Sequence, residues 1–241
     1  MADFKTHITT STILGVSYGT GAHFVIDVSI HQCIVAGALC GVAGMLPDLD
    51  SDSGIPQREM LCFVSVLVPM LMLQRFVQLG MTPEVMVFAA GVMYAGIRFA
   101  IGSIFRRFTK HRGMWHSIPA AMIAGLATYL VGLSPELGVR MLKSWAVVLG
   151  FLSHLVLDEI YSVDLNGVRV RVKKSFGTAL KWFGDNRLAN AFTYGCLLLL
   201  AASVFGDHAM MKKFSDRATN IRTATWDWME AQRSNVTGSL R

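Results

Sequence analysis

Apolar residues run along this chain in seven long stretches divided by short polar joints. Windows of about 19 residues, the length used to find membrane-crossing helices, place them near 8–27, 31–47, 60–79, 83–105, 117–134, 136–160 and 188–206. The first is weakened by Thr, Ser, Tyr and several Gly, and the second is short and rich in Gly and Ala. Pro69 predicts a kink in the third. The fourth opens on Thr82-Pro83-Glu84, a cap, a first-turn proline and an acid at the positive helix end. Ser117 and Pro119 open the fifth in the same way, and Ser134-Pro135-Glu136 opens the sixth. Several stretches fall short of the roughly 20 apolar residues a lipid-exposed helix needs. The pattern therefore predicts a bundle that shields weak spans behind strong ones. Small residues at Gly37, Gly41 and Gly44, and at Gly91, Ala95 and Gly102, predict close approach of helices.

Two segments depart from this pattern. Val163 to Val172 alternates around Asn166-Gly167, which predicts a β-hairpin. Beyond residue 206 the chain turns polar, with Phe214, Ala218, Ile221, Thr225 and Trp228 at helical spacing. That spacing suits an amphipathic helix on a membrane surface, or a solvated tail helix. The expected fold class is all-α: a polytopic membrane helical bundle of six to seven spans with a short β-hairpin-like insertion near 163–172. The expected division is a membrane domain over 1–206 and a tail over 207–241.

Composition supports the bilayer as solvent. Hydrophobic residues make up 53% and charged ones 16%, where soluble domains carry about a quarter charged residues. Mean hydropathy is +0.46. The net charge of +6 suits basic loops facing anionic lipid. No basic run is interleaved with aromatics, so direct nucleic-acid binding is not expected. Cys33, Cys40, Cys62 and Cys196 all lie in apolar stretches without a C-x-x-C pair, and read as small buried hydrophobes. The N-terminus has a single Lys5 before Thr and His interrupt the apolar run, a poor signal peptide. Retention of this segment is expected, and with it His7.

Threading the spans back and forth gathers the polar residues. His7 precedes span one; span two ends at Leu46-Pro47-Asp48-Leu49-Asp50; span four ends near His111 and Arg112; His116 opens span five; span six ends at His154 and Asp158. All reach the same side. Lys5, Arg58, Arg106, Arg107, Lys110, Arg112, Arg169, Arg171, Lys173, Lys174, Lys181 and Arg187 fall on that side too, against Arg75, Arg140 and Lys143 in the opposite connections. The positive-inside rule then puts the cluster at the cytoplasmic face. The basic tail runs against this count if span seven crosses fully.

His154-x-x-x-Asp158 sets two ligands on one helix face, and imidazole with carboxylate suits zinc, manganese or iron. A helix-end pair satisfied by hydrogen bonds is the alternative. His111-Arg112-Gly113-Met114-Trp115-His116-Ser117 sets two His around a glycine turn. The helix start there favours an anion, and Arg112 can clamp one with two hydrogen bonds. The same loop would also serve against lipid headgroups. Asp48 and Asp50 can coordinate or bridge metals. Asp48, Asp50, Asp52 and Glu59 also echo a calcium loop, but Ser53 stands where that loop needs Gly. Glu59 and Asp164 are candidates to support the ligands from outside or to act as general base. His23, His31 and His208 map to the far side.

Taken together, His7, Leu46-Pro47-Asp48-Leu49-Asp50, His111-Arg112-Gly113-x-x-His116-Ser117 and Gly150-x-x-Ser153-His154-x-x-x-Asp158 resemble the LexA-binding, inner-membrane-associated metal-dependent hydrolases. The resemblance covers about residues 1–185 and implies a bacterial inner-membrane location. It implies hydrolysis without naming a substrate. More remotely, the order of His and Asp is similar to zinc-dependent phospholipase C and S1/P1-type nucleases. Those enzymes carry an N-terminal Trp ligand, which is missing, and a second His-x-x-x-Asp in the same site; the other one in this chain, His23-x-x-x-Asp27, maps to the far side from the cluster. A one- or two-metal site is expected in place of three zincs.

The leading expectation is a metal-dependent phosphoester hydrolase, with a lipid headgroup or related substrate and membrane lipid as its surroundings. His7, Asp48, Asp50, His111, His116, His154 and Asp158 are the candidate ligands of a divalent metal, zinc before manganese. Asp50 doubles as bridge or base, and Arg112 holds the anion. The alternatives are a metal-ion transporter or sensor, whose ligands belong nearer the bilayer midplane, and a non-catalytic metal-binding scaffold.

Overall fold

Each apolar stretch closes its backbone hydrogen bonds within itself, as hydrocarbon demands. The computed structural model describes residues 3–50, 54–101, 113–132, 134, 136–166, 169–172, 177 and 180–207, with 210–212, 215–216, 219 and 223 beyond them. Helix α1 spans Phe4–Ile26 and α2 spans Ile30–Ala43. A 3-10 turn follows at Leu46–Asp50. Then come α3 (Gly54–Leu71), α4 (Leu73–Gln78), α5 (Pro83–Ala95) with a π-helical extension at Gly96–Ile101, α6 (Ile118–Val131) and α7 (Leu137–Ile160). Strands β1 (Val163–Asn166) and β2 (Arg169–Val172) form the hairpin, with Val163 opposite Val172 and Asn166 opposite Arg169. Helix α8 spans Arg187–Phe205.

Local chemistry explains the boundaries. The Asp3 carboxylate accepts bonds from the Thr6 hydroxyl and amide, which caps α1 and holds that carboxyl below its usual range. Ser117 accepts from the Ala120 amide at 3.4 Å and starts α6. Thr82 stands at the cap position of α5, but its hydroxyl makes no cap bond; Pro83 provides the start instead. Pro69 sits inside α3 and has no amide hydrogen to donate, and the helix breaks at Met72, one turn on.

Among the described residues, five segments are long and apolar enough to cross a membrane: Ile30–Asp48, Leu61–Gln78, Pro83–Ala100, Leu137–Ile160 and Arg187–Phe205. This all-α membrane bundle has fewer self-sufficient spans than the six to seven expected. Helix α1 is long enough at 23 residues but too polar. Helix α6 has 14 residues, about 21 Å at 1.5 Å per residue, against a hydrocarbon core of about 30 Å.

The chain divides into compact units at residues 1–201 and 202–241. Tail positions Phe214, Ala218, Ile221, Thr225 and Trp228 lie outside the described residues. Within the first unit α1 packs along α2, α2 along α7, and α6 along α7. Glycine sets those distances. A Cβ on Gly15 would lie 2.3 Å from the Gly37 carbonyl oxygen, and one on Gly150 would lie 2.0 Å from that of Cys40. Gly37, Gly41 and Gly44 therefore act as expected, with Thr12 against Gly41 and Ser11 against Gly44. Gly91 does not: a Cβ there meets nothing within 4 Å, and Ala95 is exposed. Gly102 lies outside the described residues. Cys33 and Cys40 are buried, Cys62 and Cys196 half-buried, and all four are free thiols.

Candidate metal centre

Four returns of the chain deliver side chains to one place. His7 comes from the first turns of α1, Asp48 from the 3-10 turn, His116 from the bend before α6, and His154 with Asp158 from the last turns of α7. His7, His116, His154 and Asp158 are buried, while the Asp48 side chain is 15% exposed. His7 Nε2 lies 3.5 Å from Asp158 Oδ1, and His154 Nε2 lies 3.6 Å from Asp48 Oδ1 and 3.9 Å from Asp158 Oδ2. The His7 and His154 rings stack with centroids 3.7 Å apart, and His116 meets His154 edge-on at 5.6 Å.

The tautomer of His154 follows from its partner. Nδ1 lies 2.7 Å from the Gly44 carbonyl oxygen, which can only accept, so Nδ1 carries the proton. In the neutral ring Nε2 is then a bare lone pair, and it faces two carboxylate oxygens. A proton shared with either carboxylate would draw the pair to hydrogen-bond distance, and 3.6 and 3.9 Å exceed it. Two ligands about 2.1 Å from one ion, at a tetrahedral angle, stand about 3.4 Å apart. The observed N–O separations match that spacing. His154 Nε2 and His7 Nδ1 are buried and meet no hydrogen-bond partner among the described residues, and unmatched buried polar atoms call for water or an ion.

Two triads have ligand atoms within 4.8 Å of one another: His7, His154 and Asp158, and Asp48, His116 and His154. They share His154, which has one nitrogen left to give. The donor set of imidazoles and carboxylates fits a divalent metal such as zinc or manganese.

Contacts that no motif foretold hold these ligands. Ser11, one turn after His7, donates to the Gly41 carbonyl at 2.9 Å and fixes α1 against α2. Trp115 Nε1 donates to the Leu46 carbonyl at 2.8 Å and ties the bend of His116 to the turn of Asp48. Gly150, four residues before His154, lets α7 lie on α2 so that His154 reaches Gly44. Ser117 donates to Met114 at 2.5 Å within the same bend. The signals were small: a serine spaced i+4 from His7, and a tryptophan between two histidines.

Asp50 ends the 3-10 turn, but its side chain lies outside the described residues, as do His111 and Arg112 entirely. The calcium-loop positions Asp52 and Ser53 lie outside them too, and nothing is described of the Glu59 and Asp164 side chains. His23, in the last turn of α1, has Nδ1 2.9 Å from the Val28 carbonyl just beyond the helix, and His31 is exposed at the start of α2. His208 lies outside the described residues.

A family model described as YdjM inner membrane protein matches residues 1–172, and the chain belongs to that family. With its apolar helices, that makes it a multi-pass inner-membrane protein. No curated protein and no solved structure matches the chain.

Proposed function

We propose that this member of the YdjM inner membrane protein family is a metal-dependent hydrolase of phosphoesters, acting at the cytoplasmic face. The observation that carries the reading is the bare Nε2 of His154, turned on two carboxylates in a buried site while Nδ1 is committed to Gly44. A divalent cation there supplies Lewis acidity and a water of near-neutral pKa. His7, Asp48, His116, His154 and Asp158 hold it, with His111 as a further ligand and zinc ahead of manganese. Asp50 would add a further carboxylate to the ion or act as general base. Arg112 orients the phosphoryl oxygens with two hydrogen bonds. The sequence motifs support these last three roles. The basic residues flanking the same side support the cytoplasmic orientation.

Metal analysis of detergent-purified protein tests the first step: wild type is expected to hold zinc stoichiometrically, and His154→Ala to lose it. Phosphate release from lipid and nucleotide esters tests the second. No release with zinc or manganese, together with a His154→Ala variant indistinguishable from wild type, would sink the proposal. The near-complete burial of His154 and Asp158 favours a second reading, a non-catalytic scaffold, which full metal occupancy without turnover would support. Metal flux into proteoliposomes, abolished by Asp158→Ala, would point to transport instead.

A further inference from the structure

A groove of about 770 Å³ runs along the α1–α2 pair, from Ile8 and Met45 at the end of the metal centre to His23 and Phe24 at the other. It lies on the side of α1 that carries Ile8, Val16 and Phe24, exposed at 40%, 63% and 80%, and away from buried His7 and Ser11. One wall belongs to the candidate span Ile30–Asp48, which sets the groove at hydrocarbon depth. Its floor includes Gly15, Gly19, Gly37 and Gly41, where the two helices come so close that only small side chains such as Thr12 and Cys33 share the seam. Phe63 of α3 stands at its edge.

We propose that this groove holds one acyl chain of a membrane phospholipid whose phosphoester is presented to the metal centre. The inference rests on the hydrolase reading and names its substrate class. Length supports it. From Ile8 to Phe24 a helix rises about 24 Å, more than the roughly 15 Å that one leaflet's chains occupy in a core of about 30 Å. Continuity supports it as well. Met45 floors the groove's end, and the Asp48 amide bonds the Met45 carbonyl at 3.2 Å. That i→i+3 bond stacks Asp48 over Met45. Among the described members of the cluster, Asp48 is also the most exposed. A chain lying in the groove thus brings its headgroup to the edge where the ligands meet the surface.

The test is photo-crosslinking of the full chain in phospholipid nanodiscs, with a diazirine on the acyl chain and peptides mapped by mass spectrometry. Crosslinks are expected to concentrate on Val16, Ile34 and Ala38, above the lipid-facing Val87, Phe88 and Leu198. Ala38→Trp, which fills the groove from an exposed position, is expected to lower them about tenfold, the factor given by ~1.4 kcal/mol of lost binding. Val87→Trp is expected to leave them unchanged. Crosslinks spread evenly over all lipid-facing helices, or unaffected by Ala38→Trp, overturn the proposal. So does metal-dependent hydrolysis of a short-chain soluble phosphoester as fast as of a long-chain lipid. Crosslinks confined to the groove in a protein that neither holds metal nor releases phosphate would uphold the lipid site while the hydrolase reading falls.

Discussion

Helices α5 and α7 both qualify as membrane spans, with mean hydropathies of 1.2 and 1.4 over their apolar windows, yet none of the α5 window is buried in the protein and half of the α7 window is. Both also carry a mid-helix glycine. Gly91 of α5 faces open space, while Gly150 of α7 lies against the Cys40 carbonyl. Hydropathy decides whether a segment enters the bilayer, and backbone contact decides what it does there. Lipid is as apolar as leucine, so helices associate where small residues let backbones touch. The cluster of His7, Asp48, His116, His154 and Asp158 is built at the end of that contact, where α1, α2 and α7 meet.

Gly150→Ala is the hardest blow to the α7 side of this comparison. Its methyl must displace backbone, so a loss of about 3 kcal/mol is expected, the upper range for overpacking, together with loss of bound metal. Thermal unfolding in detergent and metal analysis read both. Trp115→Phe keeps the ring and drops the bond to Leu46, loosening the turn of Asp48. About tenfold weaker metal binding is expected, as for other outer supports of metal ligands, measured by competition with a chelating dye. Ser117→Ala removes the α6 cap beside His116 and is expected to cost about 1 kcal/mol, visible in the unfolding midpoint. Gly91→Ala is the counter-test. With no neighbour to meet, it is expected to be neutral or to gain up to about 1 kcal/mol from helix propensity. A large loss there would erase the distinction between the two helices.

Helix positions were legible because apolar length and Pro, Ser and Thr starts are local signals. The hairpin was legible for the same reason, through Asn166-Gly167. The gathering of His7, Asp48, His116, His154 and Asp158 was legible by a longer route: alternating crossings must return each polar joint to one side. The packing was half legible. A glycine announces that room exists, as at Gly37, but not whether anything occupies it, as Gly91 shows. The His154 tautomer was out of reach, since it depends on a carbonyl 110 residues away that no residue type advertises. The same holds for Trp115, whose partner is also a backbone atom. The shortage of self-sufficient spans was visible only as weak hydropathy in α1 and shortness in α6.

The stack of His7 on His154 sets a schedule for making the protein. The two rings stand 147 residues apart in the chain (154 − 7). At about 5–20 residues per second of synthesis, the first helix waits roughly 7–30 s for its partner. Throughout that interval His7 on α1 has no α7 ring to stack on. The glycine seam and the Ser11 bond to Gly41 let α1 and α2 enter the membrane as a joined hairpin, so His7 is held in register until α7 arrives.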